Sequence, residues 1–252
     1  MLLIRPTWGV PNGVHAAMTT RLGGVSVAPY DALNLGYATA DNRASVMQNE
    51  RLTTAALGVP EADLRWAYQV HGVDVHHAES LPANTPLGAT EIKGDAIVSH
   101  TAGLVCAVKV ADCMPVLFAA RDGSAVGAAH AGWRGLSGGV LERTVAALNV
   151  APEQLIAWMG PCIGPAAFEV GAEVRAAFVA HDPRATQHFV PRETAGKFLC
   201  DLYAIARQRL HAIGVTDVTG GEHCTFTQSD LFFSHRREPI TGRMAAFVWM
   251  AR

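Results

Sequence analysis

Three apolar runs follow one another closely in the middle of the chain: Leu104-Val105-Cys106-Ala107-Val108-Lys109-Val110-Ala111, Pro115-Val116-Leu117-Phe118-Ala119-Ala120 and Ser124-Ala125-Val126-Gly127-Ala128-Ala129-His130. Asp112-Cys113-Met114 and Arg121-Asp122-Gly123 separate them. Short Val-rich runs bounded by turn residues read as strands buried on both faces of a sheet. A glycine-rich turn, Ala131 to Gly139, comes next. It leads into a helix from about Gly138 to Leu148, in which Leu141, Val145 and Leu148 share a face.

Working outward, Asp95–Val98 is a further short strand. In Leu64 to His71, Trp66, Tyr68 and Val70 alternate, which predicts a strand with Gln69 and His71 together on the opposite face. A helix is expected at Asn42 to Leu57, capped by Asp41 and stopped by Gly58 and Pro60. Val14 to Thr19 reads as a strand, Thr20 to Ser26 as a turn-rich connection, and Ser80 to Thr90 as a surface loop. Beyond the central runs lie a strand at Leu155–Met159, helices at 170–181 and 199–213, with Gly214 closing the second, and a last strand at Met244 to Met250. Strands gather in clusters with helices between the clusters. The expected class is α+β, with mixed β-sheets layered with helices in a single domain over residues 1–252.

Composition narrows the function. Half of the residues are hydrophobic and 17% are charged, which is globular. The formal net charge is −2 and no basic run stands out, so no nucleic-acid partner is expected. Pro6 cuts short the apolar start, and the best candidate for a membrane span, Gly103 to Ala111, is short and contains Lys109. Neither a signal peptide nor a membrane span is indicated, and the expected location is cytoplasmic. Five widely spaced cysteines do not form a disulfide framework. No P-loop or Gly-x-Gly-x-x-Gly fingerprint points to ATP or NAD. A monomer is the default expectation.

Three segments concentrate chemistry: Gln69-Val70-His71-Gly72, Ala111-Asp112-Cys113-Met114-Pro115 and His130-Ala131-Gly132-Trp133-Arg134-Gly135. Each puts a His or Cys at the end of an expected strand, where sites gather. Two His and one Cys leave the fourth position of a zinc ion open, as catalytic sites do. An ion there would bring the pKa of bound water toward about 7. The ordinary alternative is two hydrogen-bonded strand-end histidines and a packed cysteine.

The chain resembles the YfiH family, also called the laccase-domain or multicopper polyphenol oxidase family. The resemblance is carried by Thr20-Arg21-Leu22-Gly23-Gly24-Val25-Ser26, Leu33-Asn34-Leu35-Gly36, Gln69-Val70-His71-Gly72, Ala111 to Leu117, His130 to Gly135, Gly160-Pro161-Cys162-Ile163-Gly164-Pro165, Phe232 to Arg237 and Thr241-Gly242-Arg243-Met244. It implies zinc, with copper as the other metal to consider, bound by His71, Cys113 and His130. It also implies phosphorolysis of adenosine, inosine and 5′-methylthioadenosine, and deamination of adenosine. The chain departs from the family at His235, where Tyr is frequent, and at Asn49-Glu50-Arg51, where an Asn-Arg pair is frequent.

For such a reaction the partners are purine nucleosides and phosphate. The turn Gly132 to Gly139, with Arg134, is a candidate phosphate contact. Arg51 is a further candidate anion contact, and Gln69 a candidate substrate contact through its amide. The deaminase signature His-x-Glu with Pro-Cys-x-x-Cys is absent.

Rival readings remain. Copper-dependent phenol oxidation fits two His and a Cys beside Met114, but no His-x-His pair for a copper cluster is present. A cysteine hydrolase would use Cys113 as nucleophile and His71 or His130 as base, and the family is also linked to editing of peptidoglycan precursors. Gly135-Leu136-Ser137-Gly138-Gly139 matches a nucleophile elbow, though it starts several residues past the strand end. A plain binding module would hold no metal and turn nothing over.

Overall fold

The computed structural model describes residues 1–83 and 91–252; most of the surface loop expected at 80–90 lies outside them. In chain order, β1 (Leu3–Ile4) and β2 (Val14–Thr19) precede α1 (Arg43–Leu57). Then come β3 (Leu64–Arg65), β4 (Val75–His77), β5 (Ala96–Ser99), β6 (Val105–Val110), β7 (Met114–Ala120) and β8 (Val126–Ala131). They are followed by α2 (Trp133–Gly138), α3 (Val140–Leu148), β9 (Leu155–Met159), β10 (Glu169–Gly171) and α4 (Ala172–His181). The chain continues through β11 (Phe189–Pro191), β12 (Lys197–Cys200), α5 (Leu202–Ala212), β13 (Asp217–Gly220) and β14 (Met244–Met250).

The central apolar runs do form β6, β7 and β8, but they divide between two sheets. One has the order β1-β2-β14-β6-β3 and the other β13-β9-β7-β8-β5-β4. Alternation along each strand explains the layering. Cys106, Val108 and Val110 of β6 and Ala246 and Val248 of β14 face Leu117, Ala119, Val126 and Ala128 of β7 and β8 across an apolar seam. The other face of the six-stranded sheet, with Val116, Phe118, Ala129 and Ala157, packs on Leu141, Val145 and Leu148 of α3 and on Ile205 and Leu210 of α5. The outer face of the five-stranded sheet, with Ala107 and Phe247, packs on Leu57 of α1 and on Trp66. The result is the α+β arrangement expected, two mixed sheets back to back with helices outside. Burying one Phe118-sized side chain contributes about 1.5–3 kcal/mol, and Phe118 is fully buried.

Several local expectations need correction. The cap of α1 is Asn42, whose side chain accepts from the N–H groups of Ala44 and Ser45, while Asp41 accepts from Ser26 and Asn34. Gly58, at φ 72°, closes the helix as expected. The turn Ala131 to Gly139 is instead a short helix, α2, broken from α3 by Gly139 at φ 99°. The strand expected through His71 stops at Arg65, because after a single bridge at Tyr68 the chain turns and His71 adopts φ 61°. Residues 170–181 and 199–213 each begin as strand, in β10 and β12, before turning helical; with β11 these build a small third sheet. No helix among the described residues is long and apolar enough to cross a membrane.

Candidate metal centre and its cavity

The seam between the two large sheets ends in the site. His130 lies in phase with Val126 and Ala128 and so points toward the seam, and Cys113 precedes β7 on the same side. His71 arrives from the turn after Tyr68. One donor atom from each of the three lies within 4.8 Å of the others, a separation that one ion can bridge. The sequence-predicted trio is therefore brought together, with His130 buried, Cys113 half-buried and His71 exposed toward the cavity.

Asp95, inconspicuous in the sequence, holds the arrangement. Its carboxylate accepts from the N–H groups of Val70 (3.2 Å), His71 (2.9 Å) and Gly72 (2.7 Å), and lies 2.8 Å from His130 Nδ1. With Nδ1–H directed at Asp95, His130 is left to offer Nε2 as a metal donor, a common device for fixing a ligating imidazole. The signal was an acidic residue at the head of an apolar strand, since a buried carboxylate requires partners. Burial opposes ionisation of Asp95, but the His130 ring and the backbone N–H groups outweigh it and its pKa falls below the ordinary value. Burial likewise opposes the Cys113 thiolate, yet His130 and His71 lower the thiol's pKa. His130 is raised despite burial, by Cys113 and then Asp95. This charge pattern, thiolate and carboxylate about a positive centre, is the one a bound cation satisfies.

Gly132 leaves the space. A Cβ there would lie 2.8 Å from Cys113 Sγ and 3.1 Å from His71 Cδ2. The donor set, the orientation of His130 and this clearance all fit a resident metal ion.

The donors open onto a cavity of about 1040 Å³. Its lining includes Lys93, Lys109, Arg134, Arg236 and Arg243 against the carboxylates of Glu91 and Asp112. Lys109 Nζ stands 4.2 Å from the centre of the Trp66 ring and 4.6 Å from that of Tyr37. Burial brings its pKa down to about 8, with Glu50 opposing. Asp112, at φ 84°, spends its carboxylate on Thr225 (2.5 Å), Ser234 (3.0 Å) and the N–H of Arg236 (2.7 Å), tying the C-terminal loop to the cysteine turn.

The other sequence candidates fall in different places. Gln69 lines the cavity, but both ends of its amide pair with the backbone of Lys109 at 2.8 Å, which pins the segment before His71 to β6. Arg134 is exposed at the rim, its guanidinium over the Trp133 ring. Arg51 does not line the cavity; it lies on α1 and faces Glu61 at 3.8 Å. Ser137 donates to the carbonyl of Arg134 inside α2, so its setting is helical and not an elbow. All five cysteines are free.

Residues 15–251 match the family model described as multi-copper polyphenol oxidoreductase laccase. The purine nucleoside phosphorylase YfiH of Escherichia coli (strain K12) is 49% identical over 98% of both chains. A purine nucleoside phosphorylase of Pseudomonas aeruginosa is 47% identical over 98% of both. The crystal structure of a Neisseria meningitidis protein superposes with a TM-score of 0.92 at 44% identity, covering 99% of each chain, and YlmD of Geobacillus stearothermophilus with 0.86 at 34% identity, covering 96% of this chain and 93% of that one. With the whole length matched and the donor trio in place, the chain belongs to the multi-copper polyphenol oxidoreductase laccase family, in the branch that contains YfiH.

Proposed function

We propose that the chain is a zinc-dependent purine nucleoside phosphorylase that accepts adenosine, inosine and 5′-methylthioadenosine, with adenosine deamination as a second activity. What carries the reading is one observation: the three-donor cluster lines a large cavity whose charged residues are mainly cationic. It stands in a chain that matches proteins named purine nucleoside phosphorylase over 98% of its length. His71, Cys113 and His130 are the metal ligands in this reading, and zinc bound there would supply Lewis-acid chemistry. Asp95 keeps His130 in the ligating tautomer. Tyr68, exposed at the cavity, offers an aromatic face on which a purine stacks. The cationic lining concentrates phosphate, with Arg134 at the entrance.

Phenol oxidation by a copper cluster is less well supported. Among the described residues one group of three donors is found, and the sequence has no His-x-His pair to build a second.

The test is bound metal together with phosphate-dependent release of hypoxanthine from inosine, in wild type and Cys113→Ala. Stoichiometric zinc and turnover, both lost in the variant, are expected. Metal without phosphate-dependent turnover would overturn the phosphorylase reading. Turnover without metal, blocked by thiol alkylation, would replace it with a cysteine nucleophile.

A further inference from the structure

Two motifs have no part in the metal centre: Leu33-Asn34-Leu35-Gly36 and Thr241-Gly242-Arg243-Met244. The fold joins them into one device. Asn34, fully buried, accepts through Oδ1 from the N–H groups of Arg243 and Gly36, both at 2.8 Å. Its Nδ2 donates to Thr39 and to Asp41, both at 2.9 Å, which locks the amide orientation. The N–H of Leu35 donates to the carbonyl of Arg243 at 2.9 Å. Gly36 completes the clamp, since a Cβ there would lie 2.7 Å from Arg243 Cγ. Backbone and side-chain stem of Arg243 are both held, across more than 200 residues of sequence.

The head group of Arg243 is only half used. Nη1 donates to the carbonyls of Thr241 and Gly242, each at 2.9 Å. Among the described residues, Nε and Nη2 have no hydrogen-bond partner and no carboxylate forms an ion pair with the guanidinium. The side chain is half-buried and lines the cavity with Cys113. The cavity's other arginines differ. Arg134 is exposed on Trp133, while Arg236 donates to the carbonyl of Glu169 and covers Phe168. Burial disfavours the charge of the Arg243 guanidinium more than the nearby Cys113 and Asp112 favour it, and an anionic ligand on the unpaired donors supplies what is missing. Its free Nε–Nη2 edge matches two oxygens of a tetrahedral oxyanion.

We propose that the Nε–Nη2 edge of Arg243 binds the phosphate co-substrate and presents one of its oxygens to the ribose C1′. This deepens the phosphorylase reading and rests on it for the reaction. The phosphate oxygen forms the bond to C1′ as the C1′–N9 bond breaks. The electron pair leaves with the purine, which gains the proton that hydrogen phosphate gives up. Arg243 touches phosphate alone and moves no proton.

The test uses the purified protein, Arg243→Gln and Arg243→Lys. Calorimetric titration with inorganic phosphate is paired with KM for phosphate and for inosine. In Arg243→Gln, phosphate affinity falls by about tenfold or more, the effect of losing a charge-assisted hydrogen-bond pair, and KM for phosphate rises in parallel. KM for inosine stays within about twofold, because phosphate is the ligand that loses its partner. Arg243→Lys keeps the charge without the fork and lies between; it decides the matter if Arg243→Gln does not fold. Unchanged phosphate affinity in the folded variant, an equal rise in both KM values, or a wild type that binds no phosphate would overturn the proposal. Phosphate binding lost in the variant, with no release of base by the wild type, would keep the anion site and discard the phosphorylase.

Discussion

Replacing Asp95 by asparagine exchanges one oxygen for an NH2 group at nearly constant volume, in a side chain with no exposed surface. Oδ2 accepts from the N–H groups of Val70 and Gly72, and Oδ1 from the N–H of His71 and from His130. An asparagine has one carbonyl oxygen for these donors. With its oxygen at the Oδ1 position, its NH2 group meets the N–H groups of Val70 and Gly72, and two backbone donors are stranded. With its oxygen at the Oδ2 position, the N–H of His71 is stranded and His130 must accept at Nδ1, which moves its proton to Nε2 and removes a metal donor. Hydrogen bonds to a charged group contribute about 1.5–3 kcal/mol each. Losing two of them costs roughly 3–6 kcal/mol, a large share of the stability of a typical domain. Metal affinity falls about 10–100-fold, as for other groups that orient a ligating histidine. Urea unfolding in the presence of chelator reads the first effect, as a lower midpoint at unchanged m-value. Competition with a chromophoric chelator reads the second. A loss below about 1 kcal/mol together with unaltered metal affinity would refute the positioning role of Asp95.

Gly132→Ala places a methyl group against Cys113 Sγ and His71 Cδ2; the expected result is weakened metal binding with a modest change in Tm, and a variant that retains full metal occupancy would show that the donors need no clearance there. Burial pushes the Glu79 carboxyl up, but its own N–H, the Ser99 hydroxyl and the N–H of His100 outweigh burial and bring it down to about 2 from 4.5. Because the folded-state value is the lower one, the stabilisation is complete above pH 4.5 and is lost as pH falls toward 2. The stability gap between wild type and Glu79→Gln, followed by urea unfolding across pH, should therefore be constant near neutrality and close in acid. A gap that persists to the lowest pH would contradict this assignment.

The central strands are legible in sequence because the both-face burial of β6, β7 and β8 makes each a continuous apolar run, a pattern that needs no tertiary knowledge. The third sheet is not legible for the opposite reason. β10 runs straight into α4 at Ala172, and β12 is separated from α5 by Asp201 alone. Val170 and Leu199 consequently fall on helical spacings although they lie in strands. At the site, His71, Cys113 and His130 stand out by residue type, and Cys113 and His130 also by their places at strand ends. The roles of Asp95 and Arg243 do not. An acid before an apolar run and an arginine after a glycine are ordinary in sequence, and their meaning lies in contacts with residues 70–72 and with residue 34. Gln69 shows the converse. Its position beside His71 invites a substrate contact, while its amide is consumed by the backbone of Lys109.

The parts of the centre come from different layers. Cys113, His130 and Asp95 adjoin strands of the six-stranded sheet. Arg243 immediately precedes β14 of the five-stranded sheet, and its clamp, Asn34, sits in the loop ahead of α1. His71 is held by Asp95 from one side, and through Gln69 its segment is fastened to β6 of the other sheet. No single sheet carries both the metal donors and the proposed phosphate grip. The geometry therefore exists once the apolar seam has closed, and a ligand that binds across it favours the packed state over any state in which the sheets have parted. That coupling gives a reason for the site's location. At the end of the seam, the packing of Leu117, Val126, Val108 and Val248 sets the distance between the two halves of the site, and rigid side chains in a dense core hold it more tightly than surface loops would.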